Sequence, residues 1–281
     1  MNHPCRPHDT WLTWLYAPGD QPRKVAGALT AGADVVLVDL EDAVPADRKR
    51  YALDATAELL SQEQPVPVHV RINALDGPLA RREACTLAPL PGCGGLRLPK
   101  VHGPREVHRV ADWVAQAGAP PLYALLESAA GVEHAYAVAT CHPALAGIAL
   151  GEADLRADLG VTEEAALAWP RSRVVVAARA AALPPPVQSV HPDVRDTEGL
   201  ARSCAAGRAL GFLGRAAIHP RQLPVIEAAF LPGATEIAAA EEIVAAAAGD
   251  AGALALPDGR FVDAAVVVGA RRTLALARRT G

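Results

Sequence analysis

Val35-Val36-Leu37-Val38-Asp39-Leu40-Glu41-Asp42 decides the fold. Four consecutive apolar residues run straight into three carboxylates within four positions. A β-branched run with no polar alternation reads as a strand buried on both faces, the habit of a parallel sheet covered by helices. Burying Asp or Glu is costly unless it is paired, hydrogen-bonded or bound to metal. Asp39, Glu41 and Asp42 should therefore emerge at the C-terminal end of that strand, where α/β folds bind their ligands. The competing reading is a solvated loop after a strand, with Asp42 capping a helix. It weakens because the same event recurs along the chain.

Before this stretch, residues 12–17 form a short apolar run closed by the turn signal Pro18-Gly19-Asp20. Residues 22–30 follow as a helix with Pro in its first turn. After it, residues 46–62 have helical spacing, and 66–72 read as a strand delivering Arg71 and Asn73. Residues 76–87 read as a helix and 95–101 as a strand ending on Lys100. Residues 104–117 are again helical. Residues 121–126 make a fifth strand with Glu127 at its end, followed by a helix through Ala139. Residues 145–150 make a sixth, followed by Gly151-Glu152-Ala153-Asp154-Leu155. A helix over 171–183 stops at Pro184-Pro185-Pro186, and residues 187–190 read as a weak seventh strand. A helix over 196–210 leads to an eighth strand, 215–218, ending at His219-Pro220.

Eight strands alternating with helices predict a (β/α)8 TIM barrel over residues 1–232. No Gly-rich dinucleotide fingerprint follows any strand, which argues against a doubly wound nucleotide-binding sheet. Residues 233–281 read as two helices joined by Pro257-Asp258-Gly259-Arg260-Phe261, a C-terminal helical extension or lid and not an independent domain.

The net charge of −4 over 281 residues gives no basic footprint, so no nucleic acid partner is expected. The five cysteines are scattered without CxxC or zinc-type spacing, as in a reducing, cytoplasmic compartment. The first residues lack the apolar core of a signal peptide, and no apolar run approaches the ~20 residues of a membrane helix. No membrane partner is expected.

The strand ends collect Asp39, Glu41, Asp42, Arg71, Lys100, Glu127, Asp154 and His219. Each alone is an ordinary cap or ion-pair residue; together they make the mouth of a barrel polar. Glu127 and Asp154 come from adjacent strands. Two hard oxygen ligands completed by water are how Mg²⁺ (or Mn²⁺) is usually held. No His or Cys cluster competes for zinc. Arg71 offers a planar fork suited to a carboxylate. A divalent cation beside an Arg suits gripping an α-keto or α-hydroxy acid and stabilising an enolate. Lys100 is expected to pair with Glu127 or a neighbouring carboxylate, and His219 to be a structural hydrogen-bonding residue.

At these residues the chain resembles the citrate lyase beta-subunit-like family of the aldolase/citrate lyase group. The matching stretches are Leu15-Tyr16-Ala17-Pro18-Gly19-Asp20, Ala31-Gly32-Ala33-Asp34 running on through the opening stretch to Ala43, Val70-Arg71-Ile72-Asn73 and Leu98-Pro99-Lys100-Val101. They continue with Leu126-Glu127-Ser128-Ala129-Ala130-Gly131, Gly151-Glu152-Ala153-Asp154-Leu155, Ile218-His219-Pro220-Arg221-Gln222 and Asp258-Gly259-Arg260-Phe261-Val262-Asp263. The resemblance implies a TIM barrel, a homotrimer or hexamer, and Mg²⁺. It also implies a lyase that cleaves or forms a carbon–carbon bond in a CoA thioester such as citryl-, malyl- or citramalyl-CoA. By position, Glu127 and Asp154 would be the metal ligands, also touching substrate, and Arg71 would bind the substrate carboxylate. Glu41 and Asp42 would lie near the metal waters and substrate, and Asp263 would be an acidic residue lent to a neighbour's active site. A malyl-CoA thioesterase using the same site is one alternative. A citrate lyase beta subunit that needs an acyl carrier protein partner is another.

Overall fold

The computed structural model describes residues 11–115, 118–249, 254–255 and 259–280. The chain divides between Glu227 and Ala228 into two compact units. The first unit alternates strands and helices. In order they are β1 (Thr13–Pro18), α1 (Pro22–Leu29), β2 (Val35–Asp39), α2 (Lys49–Leu60), β3 (Val68–Arg71), α3 (Ala80–Leu87) and β4 (Cys93–Leu98). Then come α4 (Pro104–Trp113), β5 (Leu122–Leu126), α5 (Ala129–Glu133), α6 (Ala135–Ala139), β6 (Leu145–Leu150) and α7 (Glu152–Leu159). Last are α8 (Ala168–Ala180), α9 (Thr197–Leu210), β7 (Arg215–Ala217) and α10 (Leu223–Phe230), which runs across the division.

The strands make one parallel sheet in the order β6-β5-β4-β3-β2-β1-β7. Every residue of β2 is buried, as its unbroken apolar run requires. The covering helices bury one stripe each: Val107, Val110 and Ala111 on α4, and Val174, Ala177 and Ala178 on α8. Each fully buried Val or Leu of this kind stabilises the fold by about 1.5–3 kcal/mol. Asp34, just before β2, accepts from Leu12 N, Thr13 N and Thr13 Oγ1 at 2.8, 3.0 and 3.1 Å. One carboxylate thus ties the start of β1 to the start of β2. Asp39, Arg71, Arg97, Tyr123 and Gly147 share one register row across β2 to β6.

The expected eighth strand is present as β7, but the expected seventh, residues 187–190, is not a strand. Residues 187–190 contribute a single bridge, Gln188 to Arg215. Gln188 N donates to Gly214 O and Ala216 N donates to Gln188 O. The three preceding prolines have no N–H to give a ladder. The hydrogen-bonded sheet therefore has seven strands and ends at β6, and the eight-stranded closed barrel is corrected to a curled parallel sheet with a seam. The curl is real: Trp14 of β1, Tyr123 of β5, Ile148 of β6 and Val187 line one small cavity of about 40 Å³.

In the second unit α11 (Ala234–Gly249) packs on α12 (Ala264–Ala277), with a two-stranded ribbon of β8 (Leu254–Ala255) and β9 (Phe261–Val262). Val262 and Val267 form its own small core with Ile243, Ala246 and Ala247 around them. The expected joint at 257–261 falls partly on residues 256–258, outside the described residues, as do 116–117 at the expected end of α4. Residues 220–248 are apolar enough and long enough to cross a membrane on composition alone. The chain breaks that stretch around Pro232-Gly233 into α10 and α11, of 8 and 16 residues. Each is shorter than the ~20 residues a span needs.

Candidate active site

A cavity of about 390 Å³ opens at the C-terminal ends of the strands, with Asp42, Arg71, Glu127, Asp154 and Ser189 in its wall. Glu127 follows β5 directly and is 5 % exposed. Gly151, after the neighbouring β6, makes room for it. A Cβ there would lie 2.4 Å from Glu127 Cγ and 2.8 Å from Oε1, a distance no side chain tolerates. Asp154 sits in the first turn of α7 and hydrogen-bonds the Glu127 carboxyl. Burial, the nearby Glu41 and the bond to Asp154 push the Glu127 carboxyl up to about 8, against the pull of Arg71. Its Oε2 is buried with no hydrogen-bond partner.

Opposite stands an ion-pair cluster built on β2, β3 and β4. Arg71 donates through Nε and Nη2 to the two Asp39 oxygens at 2.8 and 2.6 Å. Its Nη1 lies 3.1 Å from Glu41 Oε2 and 3.3 Å from Asp42 Oδ2. Asp39 also accepts from Glu41 N and Ala43 N, which fixes the loop that carries the other two carboxylates. Lys100 has φ +53, left-handed backbone that a non-glycine residue rarely adopts. It sends its Nζ to Glu41 Oε1 at 2.8 Å. Burial raises the Glu41 pKa in spite of Arg71 and Lys100. Lys49 Nζ donates to the carbonyls of Leu40 and Glu41, and Asn73 Nδ2 to that of Leu40, so the loop backbone is held as well.

The residues fit a hard divalent cation. Glu127 and Asp154 present oxygen only, in a close pair that a proton or a cation must reconcile, and Glu127 Oε2 is an acceptor without a donor. Among the described residues no three His, Cys, Asp or Glu side chains form a complete ligand set. Two carboxylates with water filling the shell is the ordinary arrangement for Mg²⁺.

The structure brings Glu41, Asp42, Arg71 and Lys100 into one cluster, and Glu127 and Asp154 into another that Glu41 and Arg71 reach electrostatically. The partner of Lys100 is Glu41, with Asp42 at 3.9 Å. His219 Nδ1 caps the turn after β7, accepting from Arg221 N at 3.1 Å, a structural role. Asp263 belongs to the second unit, where it caps α12 by accepting from Val266 N at 2.9 Å. Sequence reasoning missed the lock of Asp39 on Arg71, although both lay in its list. It missed the rim pair Glu152–Arg171, with bonds of 2.7 and 2.6 Å, for which a spacing of nineteen residues carries no signal. It also missed Arg97, visible only as a charge between Leu96 and Leu98 in an otherwise apolar strand.

With this geometry in hand, the HpcH/HpaI aldolase/citrate lyase family model matches residues 12–220. The chain belongs to that family. It is an enzyme of the lyase type. It is 34 % identical to a (3S)-malyl-CoA thioesterase of Cereibacter sphaeroides, over 99 % of this chain and 97 % of that one. It is 30 % identical to the citrate lyase subunit beta of Leuconostoc mesenteroides subsp. cremoris, over 94 % of this chain and 92 % of the relative. The crystal structure of CitE from Mycobacterium tuberculosis in complex with magnesium, acetoacetate and coenzyme A matches with a TM-score of 0.83 at 31 % identity. That match covers 96 % of this chain and 98 % of the other.

Proposed function

We propose that the protein is a Mg²⁺-dependent (or Mn²⁺-dependent) carbon–carbon lyase. It would cleave or form a β-hydroxyacyl-CoA thioester such as citryl-, malyl- or citramalyl-CoA, giving a keto acid and an acyl-CoA. The observation that carries this reading is the Glu127–Asp154 pair at the mouth, with Glu127 buried, hydrogen-bonded to the half-buried Asp154 and left with an unsatisfied oxygen. These two side chains would hold the ion. Once bound, the ion supplies Lewis-acid polarisation of the keto or hydroxyl oxygen of the acid portion.

The chain's own residues do the rest. Arg71, anchored on Asp39, directs positive potential at the acid carboxylate, and Glu41 and Asp42 orient the waters around it. Asp263, supplied by a neighbouring copy, acts as the base. In the cleavage direction it takes the proton of the β-hydroxyl as the carbon–carbon bond breaks. The electron pair of that bond goes to the acyl-CoA fragment, whose enolate takes a proton from solvent while Asp263 releases its own proton to solvent. General-base help of this kind is worth roughly 10² to 10⁴ in rate. A homo-oligomer, trimer or hexamer, in the cytoplasm belongs to the same proposal, because a shared Asp263 requires one.

The second reading is a malyl-CoA thioesterase, favoured by the 34 % identical relative of that name. The third is a subunit that acts with an acyl carrier protein, in line with the citrate lyase subunit beta. One experiment separates them. The purified chain is offered malyl-, citramalyl- and citryl-CoA with Mg²⁺, with and without EDTA. An EDTA-sensitive keto acid plus acyl-CoA establishes the lyase. Free malate plus CoA without keto acid establishes the thioesterase. Silence on every free thioester overturns the lyase on free CoA substrates and favours the partner-dependent subunit.

A further inference from the structure

The floor of the mouth cavity carries a second arginine. Arg97 lies in β4, 4 % exposed, and lines the same cavity as Glu127 and Asp154. Its guanidinium carbon stands 5.1 Å from the centroid of the Tyr123 ring. Its Nε is buried and has no hydrogen-bond acceptor. Among the described residues no carboxylate pairs with it; the charged or titratable groups that face it are Tyr16, Tyr123 and Arg71. Burying a cation without a counter-ion costs several kcal/mol. The face of the Tyr123 ring returns only part of that cost.

The two cations in the cavity wall are thus opposites. Arg71 is surrounded by Asp39, Glu41 and Asp42. Arg97 has none of them; it lines both this cavity and the small cavity of Trp14 and Tyr123, and Ala149 and Val187 are shared by the two linings. An anion entering from the mouth meets carboxylates at the rim, where only a metal ion makes it welcome, and an unanswered guanidinium at the floor.

We propose that Arg97 receives a second carboxylate of the bound acid, so that the site selects oxo or hydroxy acids with two carboxylates over those with one. This rests on the lyase reading and deepens it: the metal end fixes the α-oxygen and first carboxylate, and the floor reads the far end. The planar five-donor fork of Arg suits that carboxylate better than any neighbouring group.

The test uses the full chain and two acid pairs that differ by one carboxylate, malate against lactate and oxaloacetate against pyruvate. Binding is measured by calorimetry in Mg²⁺ and in EDTA, with the wild type, Arg97→Met and Arg97→Lys. A charged hydrogen bond of this kind predicts that the wild type binds each dicarboxylate about tenfold or more tighter than its partner. Arg97→Met should bring the members of each pair to within about threefold, chiefly by weakening the dicarboxylate, and Arg97→Lys should recover part of the gap. Equal Mg²⁺-dependent binding of both members by the wild type overturns this inference and leaves the lyase reading standing. So does an equal loss for both members in Arg97→Met. Absence of any Mg²⁺-dependent acid binding overturns the lyase reading itself, and the inference with it. The wild-type comparison keeps the test decisive even if Arg97→Met fails to fold.

Discussion

Asp39→Asn tests whether the ion-pair cluster is a framework or an ornament. The Asp39 side chain is 2 % exposed and accepts four hydrogen bonds: two from Arg71 at 2.8 and 2.6 Å, one from Glu41 N and one from Ala43 N. Asparagine keeps the shape but turns one oxygen into a donor, which must then face an Arg71 nitrogen or a backbone N–H. Arg71, with 14 % of its side chain exposed, keeps its charge and loses its best partner. Breaking one side of a buried pair costs about 3–5 kcal/mol. At about 2–4 °C of melting temperature per kcal/mol for chains of this size, Tm should fall by roughly 10 °C. The control is Asp42→Asn, which faces the same Arg71 but has 56 % of its side chain exposed. It should cost less than about 1 kcal/mol. Urea unfolding of the three proteins, followed by circular dichroism, measures both. Equal costs for the two variants, or an Asp39→Asn cost below about 1 kcal/mol, would refute the claim that Asp39 holds Arg71 and the loop in place.

Three further outcomes follow from the same geometry. Gly151→Ala drives a methyl into Glu127 Cγ, so Mg²⁺ affinity and Mg²⁺-dependent turnover should drop by about tenfold or more; wild-type Mg²⁺ binding by calorimetry would sink the cradle argument. Asp263→Asn keeps an effective helix cap on α12, so its melting temperature should hold while turnover falls by roughly 10² or more; an unchanged rate would show that Asp263 is not the base. Burial pushes the Cys93 thiol up to about 11, whereas Cys85 is exposed. The Cys93 thiolate is therefore scarce at pH 8 and grows about tenfold per pH unit below pH 11. Iodoacetamide labelling mapped by peptide mass should modify Cys85 first, and Cys93 labelling first at pH 7 would contradict its burial.

The sequence by itself determined the alternation of strands and helices and the strand that names the fold. Four apolar residues without alternation have no other stable place than a doubly covered sheet. It also determined which residues crowd the mouth, because carboxylates and cations at strand ends have nowhere else to go. Glu41, Asp42, Arg71, Lys100, Glu127 and Asp154 were all legible in that way. Only the tertiary structure decided which of them answer one another. Glu41 took Lys100, Asp39 took the fork of Arg71, and Glu127 met Asp154 because Gly151 left the space. Such pairings depend on register and side-chain reach between residues 27 to 59 positions apart, which no local pattern records. The seam beside β6 was equally hidden. Residues 187–190 have strand-forming side chains, but the three prolines before them have no N–H groups to give a ladder, and only Gln188 makes a bridge. Arg97 was the sharpest case: a charge in an apolar strand is a contradiction in sequence, and becomes a site only when the fold shows the cavity it faces.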